Sequence, residues 1–238
     1  VRVTAQLIHA ADGFHVWSET YDRELKGVFA LQDQIAGRIG AQLQTSLGVA
    51  VAPTARAPIP PEAYDDYLKG RALYRKRQSL MQALAYFDSA VERAPEFAAG
   101  WASLALTYET VHGYVTPAEV ASLGDVGARL RSTSERAIAL EPGSAMTLHV
   151  QGNLARADFR YAEAERLYRQ AMAVDPTYPD VREDLAQLYN IVGYNDEAVV
   201  EVRKLVALEP FVANFWMPLL QGGTSLDRRE LVYEAIPR

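Results

Sequence analysis

The stretch AEAERLYRQAMAVDP, residues 162–176, decides the fold. In it Ala164, Tyr168, Ala171 and Pro176 follow one another at steps of four, three and five. The same phrase occurs upstream as Ala83, Phe87, Ala90 and Pro95, and downstream as Ala198, Val202, Leu205 and Pro210. Steps of three and four put the first three residues on one helical face, and a proline beyond the last turn ends that helix. The last two copies lie 34 residues apart, the length of a helix-turn-helix unit. One such unit cannot bury its apolar face alone, so neighbours stack into a continuous core. A stack of this kind presents a binding surface.

Composition fits that reading. The 238 residues are 49% hydrophobic and 23% charged, which places the chain in the globular range. A net charge of −6, with 24 basic residues scattered along the chain, gives no nucleic-acid footprint. No apolar run is long enough to span a bilayer, so neither nucleic-acid binding nor membrane insertion is expected of this chain. The lack of cysteine excludes disulfides and thiolate metal sites and leaves the compartment open between cytoplasm and periplasm, with a cytoplasmic protein expected. An opening at Val1, with neither Met nor a signal segment, predicts a piece of a longer protein.

Residues 1–48 read differently. Val1, Val3, Ala5 and Leu7 alternate with polar residues, Asp12-Gly13 supplies a turn, and Val16 to Tyr21 resumes a strand pattern, together a β-hairpin. Val28, Leu31, Ile35, Ile39, Leu43 and Leu47 then form one apolar helical stripe. Residues 49–62 carry four prolines and read as an extended linker. Residues 63–238 hold the helical hairpins, about four of them, with capping helices at the end.

The hairpins resemble tetratricopeptide repeats. Trp101, Leu104, Ala105 and Tyr108 fit the first-helix pattern of that family in the second repeat; Leu185, Ala186, Tyr189, Gly193 and Tyr194 fit it in the fourth, and Gly152 takes the small position in the third. The resemblance covers residues 64–210 and implies a mainly α fold: a right-handed superhelix of antiparallel helix pairs, preceded here by a small β-hairpin and helix. It departs from the pattern twice. Pro142 stands where the period places a proline at 129, so the second repeat carries an insertion. Within it Thr116-Pro117-Ala118-Glu119 reads as a capping box and predicts a short helix or an early start to the next one. At the C-terminus Trp216 is in phase for a fifth first-helix, but Pro218 and Gly222-Gly223 are expected to break it, with residues 226–236 as a capping helix.

The first fifty residues resemble the second half of a domain related to the amino-terminal domain of TolB. In bacteria that domain often precedes tetratricopeptide repeats in adenylate cyclases and in winged-helix, CadC-like transcriptional regulators. The resemblance implies the regulatory region of a signalling protein, with either a cyclase or a DNA-binding domain as the output. A lone hairpin is marginal in water, so it is expected to pair with a second copy or to pack back on the repeats, a homodimer through it being the commoner solution.

Catalytic signatures are missing. His9, His15, His112 and His149 have no metal-ligand spacing, no phosphate-binding loop or nucleophile elbow occurs, and paired carboxylates such as Glu183-Asp184 read as solvated helix faces. No catalytic residue, metal or cofactor is expected. The expected partner is a protein or peptide in the groove made by the first helices. Family positions carried over by resemblance place there Asp65, Leu68, Arg75 and Lys76; Leu106 and Glu109; His149, Asn153 and Arg156; and Glu183, Gln187 and Asn190. Arg75, Lys76, Asn153, Arg156 and Asn190 are chemically suited to a carboxylate or peptide backbone. The plain alternative for each is a solvated concave face. For His149 it is a neutral, helix-packed ring. Trp101, Tyr108, Phe87, Tyr168 and Tyr189 are read as core.

Overall fold

A computed structural model describes residues 2–8, 15–22, 59–77, 79–225 and 230, divided between two compact units, residues 1–61 and 62–238. In the first unit β1 (Arg2–Ile8) and β2 (His15–Asp22) pair antiparallel, with Arg2 opposite Asp22 and Leu7 opposite Trp17, before a bulge at Leu7/Ile8. Arg2, Thr4, Gln6, Ser18 and Thr20 are exposed, the period-two polar face of a pleated hairpin. Thr4 and Thr20 meet across it, their hydroxyls 3.0 Å apart. The hairpin is as expected. Its Asp12-Gly13 turn, the stripe from Val28 to Leu47 and residues 49–58 lie outside the described residues.

The chain turns helical at Pro61, the last residue of the first unit, where the sequence suggested linker through Glu62. Proline suits the first helical position, which needs no N–H. The hairpins are α1 (Pro61–Arg75) with α2 (Leu80–Arg93), α3 (Ala98–Tyr114) with α5 (Val126–Leu140), α6 (Ala145–Ala157) with α7 (Tyr161–Val174), and α8 (Pro179–Val192) with α9 (Asn195–Leu208). The insertion in the second repeat is α4 (Pro117–Ser122). Its capping box forms as expected: the Thr116 hydroxyl accepts from the Glu119 N–H, and the Glu119 carboxylate accepts from the Thr116 N–H at 2.9 Å. After α9 a 3₁₀ turn (Ala213–Trp216) leads into α10 (Met217–Ser225). Pro218 therefore does not break this helix. It occupies the second helical position, where no intrahelical N–H bond is lost, and Gly222-Gly223 continue the helix. Of the expected capping helix, residues 226–229 and 231–236 lie outside the described residues.

The repeated phrase is the core. Ala83, Phe87, Ala90, Ala164, Tyr168, Ala171, Ala198, Val202 and Leu205 are all buried. In the first and third repeats the large ring on the second helix sits under a glycine on the first. A Cβ on Gly70 would lie 2.6 Å from Phe87 Cε1, and one on Gly152 would lie 2.5 Å from Tyr168 Cδ1. The second repeat solves the same problem without a ring, burying Ser134 with its hydroxyl donating to Leu130 O at 2.6 Å. Trp101 is not core: it is half-buried, and its Nε1 donates to Pro95 O at 2.9 Å. Trp216 makes the same bond to Pro210 O at 3.3 Å, so a tryptophan at this position ties its helix to the turn before it.

Candidate binding groove

The inner face of the stack is built from the first helices α1, α3, α6 and α8, and α1 is laid against the others. Tyr67 on α1 donates to Met146 Sδ on α6 at 3.8 Å and accepts from Arg71 at 3.0 Å. Beyond the end of α1, Arg77 donates to Glu183 on α8 at 3.2 Å and stacks 4.0 Å over the Tyr74 ring. Arg75 pairs with Glu209, 134 residues away. This placement comes from one extra residue in the first repeat. Seventeen residues separate Gly70 from Phe87 and sixteen separate Gly152 from Tyr168. The surplus sits in a turn where Arg77 and Ser79 both take positive φ, 51° and 54°. The slip turns Tyr67, Arg71 and Tyr74 inward and leaves the expected groove residues Asp65 and Leu68 exposed on another face.

Most of the other expected contacts are spent inside the protein. Leu106 is 3% exposed and offers a ligand nothing. His149 is buried between α6 and α8, its Nδ1 2.9 Å from the Tyr178 hydroxyl and its Nε2 2.5 Å from Asp184. Both ring nitrogens are therefore engaged within the protein. Burial pushes the Asp184 carboxyl up, but the His149 hydrogen bond and charge, with Arg156, outweigh it and leave the group lowered to about 2. Asn153 Oδ1 accepts from the Tyr168 hydroxyl at 2.6 Å, and the Tyr168 oxygen in turn accepts from Arg156 Nε at 3.2 Å. Arg156 pairs with Glu109 on α3, whose carboxyl burial raises. Gln187 donates to Glu183 at 3.4 Å, and Asn190 donates to Pro218 O at 2.8 Å. Glu183, also held by Asn214 at 3.1 Å, is raised to about 8 by burial against the pull of Arg77. Several of these bonds join first helices of different repeats, so the polar residues of the inner face fasten the stack together. Family positions alone did not distinguish that role from ligand contact.

Open space lies at one end. The ends of α1 and α3 and the 3₁₀ turn enclose a groove of about 940 Å³, lined among others by the expected Arg75 and Lys76, and by Tyr114, Phe211, Asn214 and Met217. Phe211 is 99% exposed, and Tyr114 and Met217 show nearly half their surface. Sequence reasoning missed these, although Phe211 had a signal. It follows Pro210 where Glu96 follows Pro95, Gly143 follows Pro142 and Thr177 follows Pro176, an aromatic at a position otherwise small or polar. Among the described residues no group of three His, Cys, Asp or Glu could hold a metal ion, and no helix is long and apolar enough to cross a membrane.

Stacked hairpins with small-against-large packing and an end groove define a helical-repeat scaffold. Over residues 155–217 the particular kind is the tetratricopeptide repeat, since that stretch matches the family. Its fold is similar to that of a thermophilic TPR protein of Thermus thermophilus, with a TM-score of 0.50 and 19% identity over 84% of this chain and 95% of the other. A looser likeness, TM-score 0.45 and 22% identity, covers 74% of this chain and 78% of pilF of Pseudomonas aeruginosa. In sequence, 110 residues are 34% identical to a Rhizobium meliloti (strain 1021) protein bearing the name "Putative adenylate cyclase 3". That match covers 44% of this chain and 19% of the relative, so the chain spans about a fifth of the protein it matches.

Proposed function

We propose that the chain is a non-catalytic scaffold that binds a peptide segment of a partner protein. The observation that carries this is the end groove, where Phe211, Tyr114 and Met217 hold apolar surface in water beside a chain terminus of α1 rich in cations. An aromatic left fully exposed in a concave site is the composition of an anchor pocket. The site used is the end groove rather than the full inner face, because the inner face is closed by its own ion pairs. The test is a random dodecapeptide library displayed on phage and selected on the immobilised protein. Binders lost on Phe211→Ala support the reading, and no Phe211-dependent binder refutes it.

The likeness to the Rhizobium meliloti protein favours a second level to this reading, in which the scaffold regulates a nucleotide cyclase domain elsewhere in the same polypeptide. Cyclic AMP formation by the full-length protein, with and without residues 62–238, tests it; equal rates in both refute it. For the first unit, pairing with a second copy is supported by the β1/β2 sheet, which has two strands among the described residues, and two strands by themselves are marginal in water. Light scattering that finds a strict monomer removes that part of the proposal.

A further inference from the structure

The end groove carries a sign as well as a shape. Among the described residues that line it, every charged one is a cation, namely Arg75, Lys76 and Arg77, in a chain whose net charge is −6. Two of the three are offset from outside the lining, Arg75 by Glu209 and Arg77 by Glu183. The second offset is incomplete at neutral pH, because burial raises the Glu183 carboxyl to about 8. Arg77 is nine-tenths buried, and its Nε has no hydrogen-bond partner. Lys76 is exposed and makes no ion pair among the described residues. Against these charges stands an apolar wall, Tyr114, Phe211 and Met217.

We infer that the groove takes an acidic peptide segment, with a bulky apolar side chain seated against Phe211, Met217 and Tyr114 and a neighbouring carboxylate meeting Lys76. This rests on the peptide-binding reading above and adds the partner's chemistry. A basic segment would meet Lys76 with no carboxylate among the described lining residues to offset it, and like charges at short range discriminate against it. A nucleic acid is the poorer fit. Its affinity comes from many phosphate contacts, whereas this groove offers one uncommitted lysine on an acidic chain. The apolar wall supplies the anchor that a purely electrostatic site would lack.

The experiment uses the same phage selection, followed by fluorescence anisotropy of the winning peptides, made synthetically, on the wild-type chain and on the Lys76→Glu and Phe211→Ala variants. Both residues are exposed, and circular dichroism verifies that the variants stay folded. Expected are winners carrying Asp or Glu within a few residues of a bulky apolar residue. Their affinity falls at least about tenfold in each variant and declines as NaCl rises. Phe211-dependent winners that are neutral or basic, or acidic winners indifferent to Lys76→Glu, overturn the acidic assignment and leave the peptide-binding reading standing. Winners indifferent to Phe211→Ala, or none at all, overturn both.

Discussion

Replacing Gly152 by alanine tests the packing of the repeat at one atom. In an ordinary helix the change is favourable, because alanine exceeds glycine in helix propensity by about 1 kcal/mol. Here the new methyl would lie 2.5 Å from Tyr168 Cδ1, well inside the roughly 3.5–4.0 Å of an ordinary carbon contact. Tyr168 is fully buried, and its hydroxyl is pinned by Asn153 and Arg156, both on the same helix as Gly152. The ring can retreat only by opening α6 from α7 or by giving up those bonds. Overpacking costs about 1–3 kcal/mol, and each strained hydrogen bond adds about 1 kcal/mol. After the propensity gain, Gly152→Ala should destabilise by about 2–3 kcal/mol. Gly113, a helical glycine with nothing within 4 Å of the new methyl, is the control, and Gly113→Ala should be neutral or stabilising. The assay is urea unfolding followed by circular dichroism and tyrosine fluorescence, with coincident transitions required before free energies are compared. Tyr168→Leu in the Gly152→Ala background should cost less than the sum of the single changes. If Gly152→Ala is as stable as the wild type, the glycine-under-ring packing is wrong.

Stability should also depend on pH in a direction set by Glu183. Its carboxyl is raised by burial to about 8 from the usual 4.5, so the folded chain keeps a proton that the unfolded chain releases. Stability therefore falls as pH rises from about 4.5 through about 8. Asp184, lowered to about 2 from the usual 3.8, works at the other end: its contribution is present above the unfolded value and lost as pH drops towards 2. Thermal melts should peak in mildly acidic buffer, and Glu183→Gln should flatten the alkaline limb; an unchanged slope in that variant refutes the assignment. Phe159, exposed and held at φ 60° where the fourth repeat has Gly193, should gain about 1 kcal/mol on replacement by glycine, and a lower melting temperature would contradict this. Trp101→Ala should cost less than Phe87→Ala, which empties a fully buried site worth about 3–5 kcal/mol; equal losses in urea would put Trp101 back in the core.

The sequence carried the hairpins because each is a local matter. Gly152 announces the ring of Tyr168 sixteen residues later, and Thr116 announces the Glu119 that caps α4 with it. What it concealed is non-local. Arg77 and Glu183 are 106 residues apart, and a periodicity that compares one repeat with the next says nothing of what the first repeat does to the fourth. A single surplus residue after α1 was enough to move Asp65 and Leu68 out of the groove and Arg71 into the interior. Pro218 misled for a different reason: proline is hostile within a helix and harmless in its first turn, and the start of α10 at Met217 is fixed by the preceding 3₁₀ turn. Phe211 was visible in register against Glu96 and Thr177, once outlying residues are sought at each repeat position as well as matching ones.

The two bridges from the end of α1, Arg75 to Glu209 and Arg77 to Glu183, change how the array comes apart. A linear array of hairpins melts from its tips, because a terminal unit has one neighbour and every inner unit has two. Here the first hairpin also holds the last, so neither tip is free to peel without undoing the other. Cooperativity that would otherwise weaken with distance is returned to the start of the chain, and the four hairpins should open as one.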